Sequence, residues 1–382
     1  MNKLYIIREV YKPNKAETNR LLAYLHSIDA MGIKATLVLF IPDREASLVT
    51  DEFENIDILY YWKKLYIRNR YLKHLLEHLY VRLFILSLKP GDKVFLSGFE
   101  YYIKNFVKKK DIKVFFEVTE KPALSRQFGW YSDVENHFYL KNVKYLDGIS
   151  VISTAIKQDF IKLGVSSEKI HIINMTVDAT RFVGLEKKKC DKYIAYCGTA
   201  TNNKDGVDQL IKAFAIFSSS HKNYKLYIIG ETPSKSMAFS NKELTKELGV
   251  EDKVVFTGVV PATNIPQILK NAEILALNRP NNEQAKYGFP TKLGEYLLTE
   301  NPVVVTTVGD IPLFLTDGES ALLSPPDNPY EFAEKLSWVA NHPEEAKIIG
   351  VNGAKVAMRK FNSRIETEKL IDMIGVSNHA VQ

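Results

Sequence analysis

Short apolar runs rich in Val, Ile, Leu, Phe and Tyr alternate with apolar residues at helical spacing along nearly the whole chain. KLYIIRE (3–9) has the β-branched and aromatic content of a strand. NRLLAYLHSIDAMG (19–32) then repeats its apolar residues at helical intervals and stops at Gly32. IKATLVLF (33–40), IDILYY (56–61), KVFLSG (93–98), IKVFFEV (112–118) and DGISVIS (147–153) continue the strand series, with helical stretches between them. These runs are apolar on both faces, the pattern of parallel strands buried between layers of helices.

A second series begins near residue 191: DKYIAYCG (191–198), YKLYIIG (224–230), DKVVFTG (252–258), AEILALN (272–278) and NPVVVTT (301–307). The first three end on glycine, which a tight βα loop or a close ligand approach requires. SSEKIHIINMTVDATRF (166–182) reads as the link between the two series. At 382 residues the chain exceeds what one core usually organises. The expected class is α/β, with two doubly wound, Rossmann-like domains facing across a cleft. They span residues 1–176 and 177–361, and a last helix, about 362–376, crosses back to the first domain. Doubly wound sheets bind ligands at the carboxyl ends of their strands, so the cleft is the default site. The architecture alone names no reaction.

The formal net charge of +6 fits an anionic ligand or an anionic membrane surface but is too small to argue for nucleic acid. There is no zinc-finger spacing, RNP motif or arginine-rich tail. Cys190 and Cys197 match neither a metal site nor a redox pair, and read as reduced cytosolic thiols. The first residues, MNKLYIIREVYKPNK, read as a strand rather than a signal sequence. No run approaches the ~20 apolar residues that cross a bilayer. The expected location is the cytoplasm, with peripheral contact at the inner face of the membrane as the further option.

Two stretches can carry chemistry. In GTATNNKDGVDQLIKAF (198–214), Gly198 ends a strand, and Asp205 and Gly206 open the next helix, with Lys204 beside them. Free N–H groups at a helix start together with a lysine suit a diphosphate; an ordinary polar βα loop is the competing reading. In GFPTKLGEYL (288–297), Pro290 fits the first turn of a helix. Thr291, Lys292 and Leu293 would then offer N–H groups and a cation to a phosphate. Glu295, one turn in, would accept hydrogen bonds from vicinal hydroxyls such as those of a ribose. A glutamate placed there by the helix dipole alone is the competing reading.

The stretch GFPTKLGEYLLTENPVVVTTVGDIP resembles the donor-binding signature of the retaining GT-B glycosyltransferases of family 4, the glycogen-synthase-like group also called glycosyl transferases group 1. ISVISTAIKQDFIKLGVSSEKIHIINMTVDATRF, YCGTATNNKDGVDQLIKAF, YKLYIIGE and DKVVFTGVVPATNIPQILKNAEILALN are similar to successive segments of the same group, so the likeness runs from about 147 to 360. It implies that Glu295 binds the ribose of a nucleotide sugar and that Lys204 holds the donor diphosphate. It further implies that Gly288, Phe289, Pro290 and the N–H groups of Thr291–Leu293 cradle that diphosphate, and that Gly198 lets it approach the backbone. Two departures stand out. The group commonly carries a first glutamate where this chain has Tyr287, and an arginine where it has Thr199; diphosphate binding then leans on Lys204 and Lys292. The first domain of such enzymes also usually offers a histidine in the region where this chain reads KVFFEVTEKPALSR. Glu117 and Glu120 are the nearest polar groups there, and Glu120 is the candidate catalytic residue beside Lys204 and Lys292.

The resemblance implies a sugar transferred from a UDP- or GDP-sugar to a glycan or lipid-linked glycan, with neither metal nor cofactor, in bacterial surface polysaccharide or glycolipid synthesis. A sugar-nucleotide epimerase or phosphorylase, and a catalytically idle nucleotide-sugar-binding subunit, are the alternatives. Residues 60–89 hold seven Lys or Arg against one Glu. Within them Leu72, Leu75, Leu76, Leu79, Leu83 and Leu86 fall at helical spacing and are expected in the core. The preceding Lys63, Lys64, Arg68 and Arg70 read either as a solvated loop or as a surface for an anionic membrane or a lipid-diphosphate acceptor. Asp133 and Glu135 resemble a metal-holding DxD only loosely and read as a cap, and no metal is expected.

Overall fold

The computed structural model describes residues 2–8, 11–12, 16–40, 47–62, 67, 69–121 and 140–376. Seven parallel strands form the first sheet: β1 (Leu4–Arg8), β2 (Ala35–Leu39), β3 (Ile56–Tyr60), β4 (Lys93–Ser97), β5 (Lys113–Val118), β6 (Gly148–Val151) and β7 (Ile170–Ile172), in the order β3-β2-β1-β4-β5-β6-β7. Six form the second: β8 (Tyr193–Cys197), β9 (Lys225–Ile229), β10 (Val254–Gly258), β11 (Ile274–Leu277), β12 (Val303–Thr306) and β13 (Leu322–Ser324), in the order β10-β9-β8-β11-β12-β13. Both sheets grow outward from their first strand and then reverse, which is the doubly wound α/β topology and opens a crevice at the carboxyl ends of the first and fourth strands. The sequence pattern marks every strand except β7 and β13, each three residues long and too short to show a period.

The chain divides into two compact units, one running to Asn174 and resumed from Ser363, the other Met175–Asn362. In the first unit, helix α1 (Ala16–Ala30) lays Leu21, Tyr24, Leu25 and Ile28 against Leu370, Ile371 and Ile374 of the final helix. Glu366 of that helix is fully buried and accepts the backbone N–H of Asn174 at 2.6 Å and its side-chain amide at 3.2 Å. A second buried cluster centres on Glu117. Arg20 Nε donates to its carboxylate at 2.8 Å, the Tyr24 hydroxyl at 2.9 Å and the Ser97 hydroxyl at 2.9 Å. The Arg20 guanidinium also reaches the carbonyls of Asn174 and Ile173.

Helix α2 (Arg70–Ser87) departs from the sequence expectation. Asn69 caps it, accepting the N–H groups of Tyr71 and Leu72 at 3.0 and 3.1 Å. Its buried residues are Glu77, Val81 and Phe84, and Leu88 follows just beyond its end. Leu72, Leu75, Leu79, Leu83 and Leu86 are exposed and Leu76 is only half-buried, so these leucines do not form the core. Periodicity finds an apolar face but cannot say whether the fold covers it, and α2 has two such faces.

Candidate functional site

The second unit brings the candidate donor residues together at the reversal of its sheet. Strand β8 ends at Gly198, whose φ of 151° lies where only glycine is unstrained. A Cβ there would lie 2.7 Å from both Cε and Nζ of Lys292. The lysine therefore lies across the strand end, and the absent side chain at 198 makes its room. Lys292 belongs to helix α10 (Thr291–Leu298), the tenth α-helix of the described residues, and its ammonium pairs with Asp205 Oδ2. It stands 3.3 Å from the Tyr196 hydroxyl and 5.0 Å from the centre of that ring.

Asp205 is buried and has two further contacts. The Tyr196 hydroxyl is 2.8 Å from Oδ2 and Arg279 Nε is 3.7 Å from Oδ1; the same Arg279 Nε donates to the Lys204 carbonyl at 3.2 Å. Burial pushes the Asp205 carboxyl up, but Lys292 and Arg279 outweigh it and hold it below the usual carboxylate range. Burial lowers the Lys292 ammonium, as do the charges of Arg279 and Lys204, while Asp205 opposes them. The buried Arg279 and the partly buried Lys292 thus share one carboxylate, which leaves a net positive charge at the strand ends. That is a setting for an anion.

The short helix Asn202–Asp205 and the longer one, Val207–Ser218, meet at Gly206. Lys204 therefore lies on a separate turn before Gly206, not at the start of the long helix, and its residue is exposed. Gly206 has φ 63°, and a Cβ there would come within 1.9 Å of the Asn278 carbonyl at the end of β11. Gly206→Ala is expected to destabilise the protein by roughly 2–4 kcal/mol, from the left-handed backbone and the collision with main chain. The urea midpoint checks this.

Pro290 caps α10 rather than lying in its first turn, and its carbonyl accepts the Leu293 N–H at 3.1 Å. Leu293 is thereby committed, and Thr291 and Lys292 supply the helix-start N–H groups that a helix cannot satisfy internally. Phe289 is buried against Phe314 and Phe361, each with its ring centre 5.4 Å away, so it anchors the loop. Gly288 follows the helix Glu283–Tyr287, and a Cβ on it would meet the Gln284 carbonyl at 3.0 Å. Tyr287 is buried, with the Lys286 ammonium 5.5 Å from its ring centre. The Thr199 carbonyl lies 2.8 Å from the Tyr196 hydroxyl.

Glu295 stands one turn beyond Lys292 and pairs with Arg181 of the 3-10 turn Ala179–Phe182; the two side chains are 25% and 32% exposed. Arg181 also donates to the Ala262 carbonyl at 3.2 Å, beyond β10. The hydroxyl of the next residue, Tyr296, accepts the Cys197 N–H at 2.6 Å and reaches its carbonyl at 3.2 Å, which pins α10 to the end of β8. Burial, and then the charge of Glu295, push the Cys197 thiol up to about 12, which keeps it from acting as a nucleophile at neutral pH.

Sequence reasoning did not single out Tyr196, Arg279 or Arg181. Tyr196 and Arg279 lie at or just past the ends of strands that the pattern marks, which is the available signal in a doubly wound sheet. In the first unit, Glu120 lies on the exposed turn after β5, whereas Glu117 is consumed by Arg20, Tyr24 and Ser97. Lys63, Lys64, Arg68, Asp133 and Glu135 lie outside the described residues, and Arg70 begins α2. Among the described residues, no three His, Cys, Asp or Glu gather as a metal site.

Known proteins resemble the second unit most clearly. Residues 191–342 match the family model described as Glycosyl transferases group 1. The fold is shared with HepE of Anabaena, solved in complex with UDP, at a TM-score of 0.75 and 15% identity, over 98% of this chain and 99% of that one. Over residues 191–342 the chain is similar to the group 1 glycosyltransferases. Gly198, Asp205, Arg279, Lys292 and Glu295 all fall inside the group 1 match, and Arg181 precedes it. Among curated relatives, the MMP alpha-(1->4)-mannosyltransferase of Mycolicibacterium hassiacum is 24% identical over 244 residues, 63% of this chain and 56% of that protein. The D-inositol 3-phosphate glycosyltransferase of Corynebacterium aurimucosum is 27% identical over 193 residues, 50% of this chain and 42% of that protein. The matches thus span about half the length of these curated relatives. The sucrose-phosphate synthase of Thermosynechococcus elongatus shares the GT-B fold at a TM-score of 0.74 and 13% identity, over 98% of each chain.

Proposed function

We propose that this chain is a group 1 glycosyltransferase, which moves a sugar from a nucleotide-diphosphate donor to a hydroxyl of a glycan or lipid-linked glycan, with the anomeric configuration retained and no metal required. The carrying observation is the contact of Lys292 with the bare backbone of Gly198, beside Asp205 and Arg279. The donor diphosphate would lie against Gly198 and the N–H groups of Thr291 and Lys292, with Lys204 at its outer side. As the glycosidic bond of the donor breaks, Lys292 and the helix start stabilise the charge gathering on the departing phosphate. That phosphate accepts the proton of the attacking hydroxyl, and the new bond forms on the face the diphosphate leaves. Glu295 takes the ribose hydroxyls, with Arg181 holding its carboxylate in place. The UDP complex of HepE supports a UDP-sugar as the first donor to test.

Release of UDP or GDP from a panel of nucleotide sugars tests this reading. Binding without turnover would favour the second reading, an idle nucleotide-sugar-binding subunit, for which Tyr287 in the place of the group's usual first glutamate speaks. Glu295→Ala is expected to weaken donor binding by roughly 10- to 100-fold, the loss of two hydrogen bonds to a charged acceptor. The melting temperature should barely move, because the Arg181 pair is partly exposed and such pairs contribute about 0–1 kcal/mol. Titration calorimetry with UDP reads the first effect, and unchanged affinity would remove Glu295 from the ribose.

A further inference from the structure

The leucines of α2 that the fold leaves uncovered form a single stripe. At about 100° per residue, Leu72, Leu75, Leu79, Leu83 and Leu86 fall within an arc of roughly 80°. Glu77, Val81, Phe84 and Leu88, the side that packs on the protein, centre on the opposite direction. Leu75 and Leu86 are 68% and 69% exposed, and Tyr71 at the start of the helix is 87% exposed. A row of exposed leucines along a whole helix is more than the scattered apolar residues normal on a surface, and marks a contact face.

Charge says what covers it. Residues 61–110 hold twelve Lys or Arg and three Asp or Glu, a balance of +9 in a chain whose total is +6, so the rest of the protein is net negative. Two of those three acids, Glu77 and Asp92, are buried. Arg82 and Lys89 are exposed on or just beyond α2, and the short helix Ile103–Val107, which packs beside α2, is followed by Lys108, Lys109 and Lys110. Two copies of this chain meeting through these faces would bring together two strongly basic segments, which repel. An apolar stripe inside a basic field is the character of a helix that lies in a bilayer interface, leucines among the acyl chains and cations at anionic headgroups. No helix among the described residues is long and apolar enough to cross a membrane.

We propose that α2 docks the protein on an anionic lipid bilayer, with Leu72, Leu75, Leu79, Leu83 and Leu86 entering the interface. The proposal stands apart from the assignment of the donor site, because a bilayer contact at α2 needs no nucleotide.

Co-sedimentation of the full chain with vesicles of phosphatidylglycerol or of phosphatidylcholine tests it. The expected result is pelleting with the phosphatidylglycerol vesicles, at least tenfold weaker with phosphatidylcholine, and falling as salt is raised. The variant Leu75→Ser, Leu79→Ser, Leu86→Ser should lose at least nine-tenths of the binding and keep its melting temperature, since these side chains are exposed rather than part of the core. Arg82→Glu with Lys89→Glu should erase the preference for phosphatidylglycerol. Equal binding to both lipids, or none to either, would overturn the proposal. So would a lipid-free dimer in sedimentation velocity that the leucine variant dissolves, since a second copy would then be the occupant. The salt titration uses the unmodified protein and stands even where a variant folds poorly.

Discussion

Lys292→Ala is expected to lower sugar transfer by about 10²–10³-fold, the loss typical of one preorganised charge-stabilising group in an active site. The size follows from position. The ammonium lies against the bare Gly198 backbone at the end of β8, in contact with Asp205 and over the Tyr196 ring. A diphosphate there meets this charge at short range and away from bulk water, where it counts for more than on a surface. The pH dependence has a defined sign. Burial lowers the Lys292 ammonium below the ordinary lysine value. Donor binding should therefore weaken as pH rises through that lowered pKa, earlier than for an exposed lysine near ~10.4. UDP release and UDP affinity, each measured across pH on the same preparation, check both statements. Unchanged transfer and affinity in the variant would take Lys292 out of the site.

Glu117→Ala is expected to destabilise the first unit by about 3–5 kcal/mol, the range for removing one partner of a buried ion pair. Arg20 would keep its two carbonyl acceptors but lose the carboxylate it is paired with, while remaining inside the fold. Burial alone would raise the Glu117 carboxyl; Arg20, Tyr24 and Ser97 reverse the effect and hold it below the usual range. A carboxyl depressed by folding contributes stability above its unfolded value, about 4.3 for glutamate, and loses it as pH falls through the lower folded value. The variant should therefore show a flatter loss of stability than the parent below about pH 4.3. Urea unfolding from pH 7 down to 3 measures it, and parallel curves for the two proteins would remove the pair from the acid response.

The likeness of these two acids in sequence and their difference in the fold shows where sequence reading stops. Glu117 and Glu120 lie three positions apart, and the sequence favours Glu120 as the one that faces a ligand. Alternation along β5 turns Glu117 inward to Arg20, while Glu120, past the strand, stays at the surface. The partner that decides the matter is 97 positions away, and no local pattern reports it.

The sequence by itself determined the strand and helix alternation, because buried parallel strands and amphipathic helices leave their periods in neighbouring residues. It also determined Gly198, Lys292 and Glu295 as candidates, because turn chemistry and helix starts are local. Only the tertiary structure decided that Lys292 lies over Gly198, that Asp205 balances two cations, that Arg181 holds Glu295, and that the leucines of α2 face outward. Contacts between residues dozens of positions apart depend on how the strands are ordered, and exposure depends on what the remaining chain covers. Neither quantity is carried by the period of a single segment.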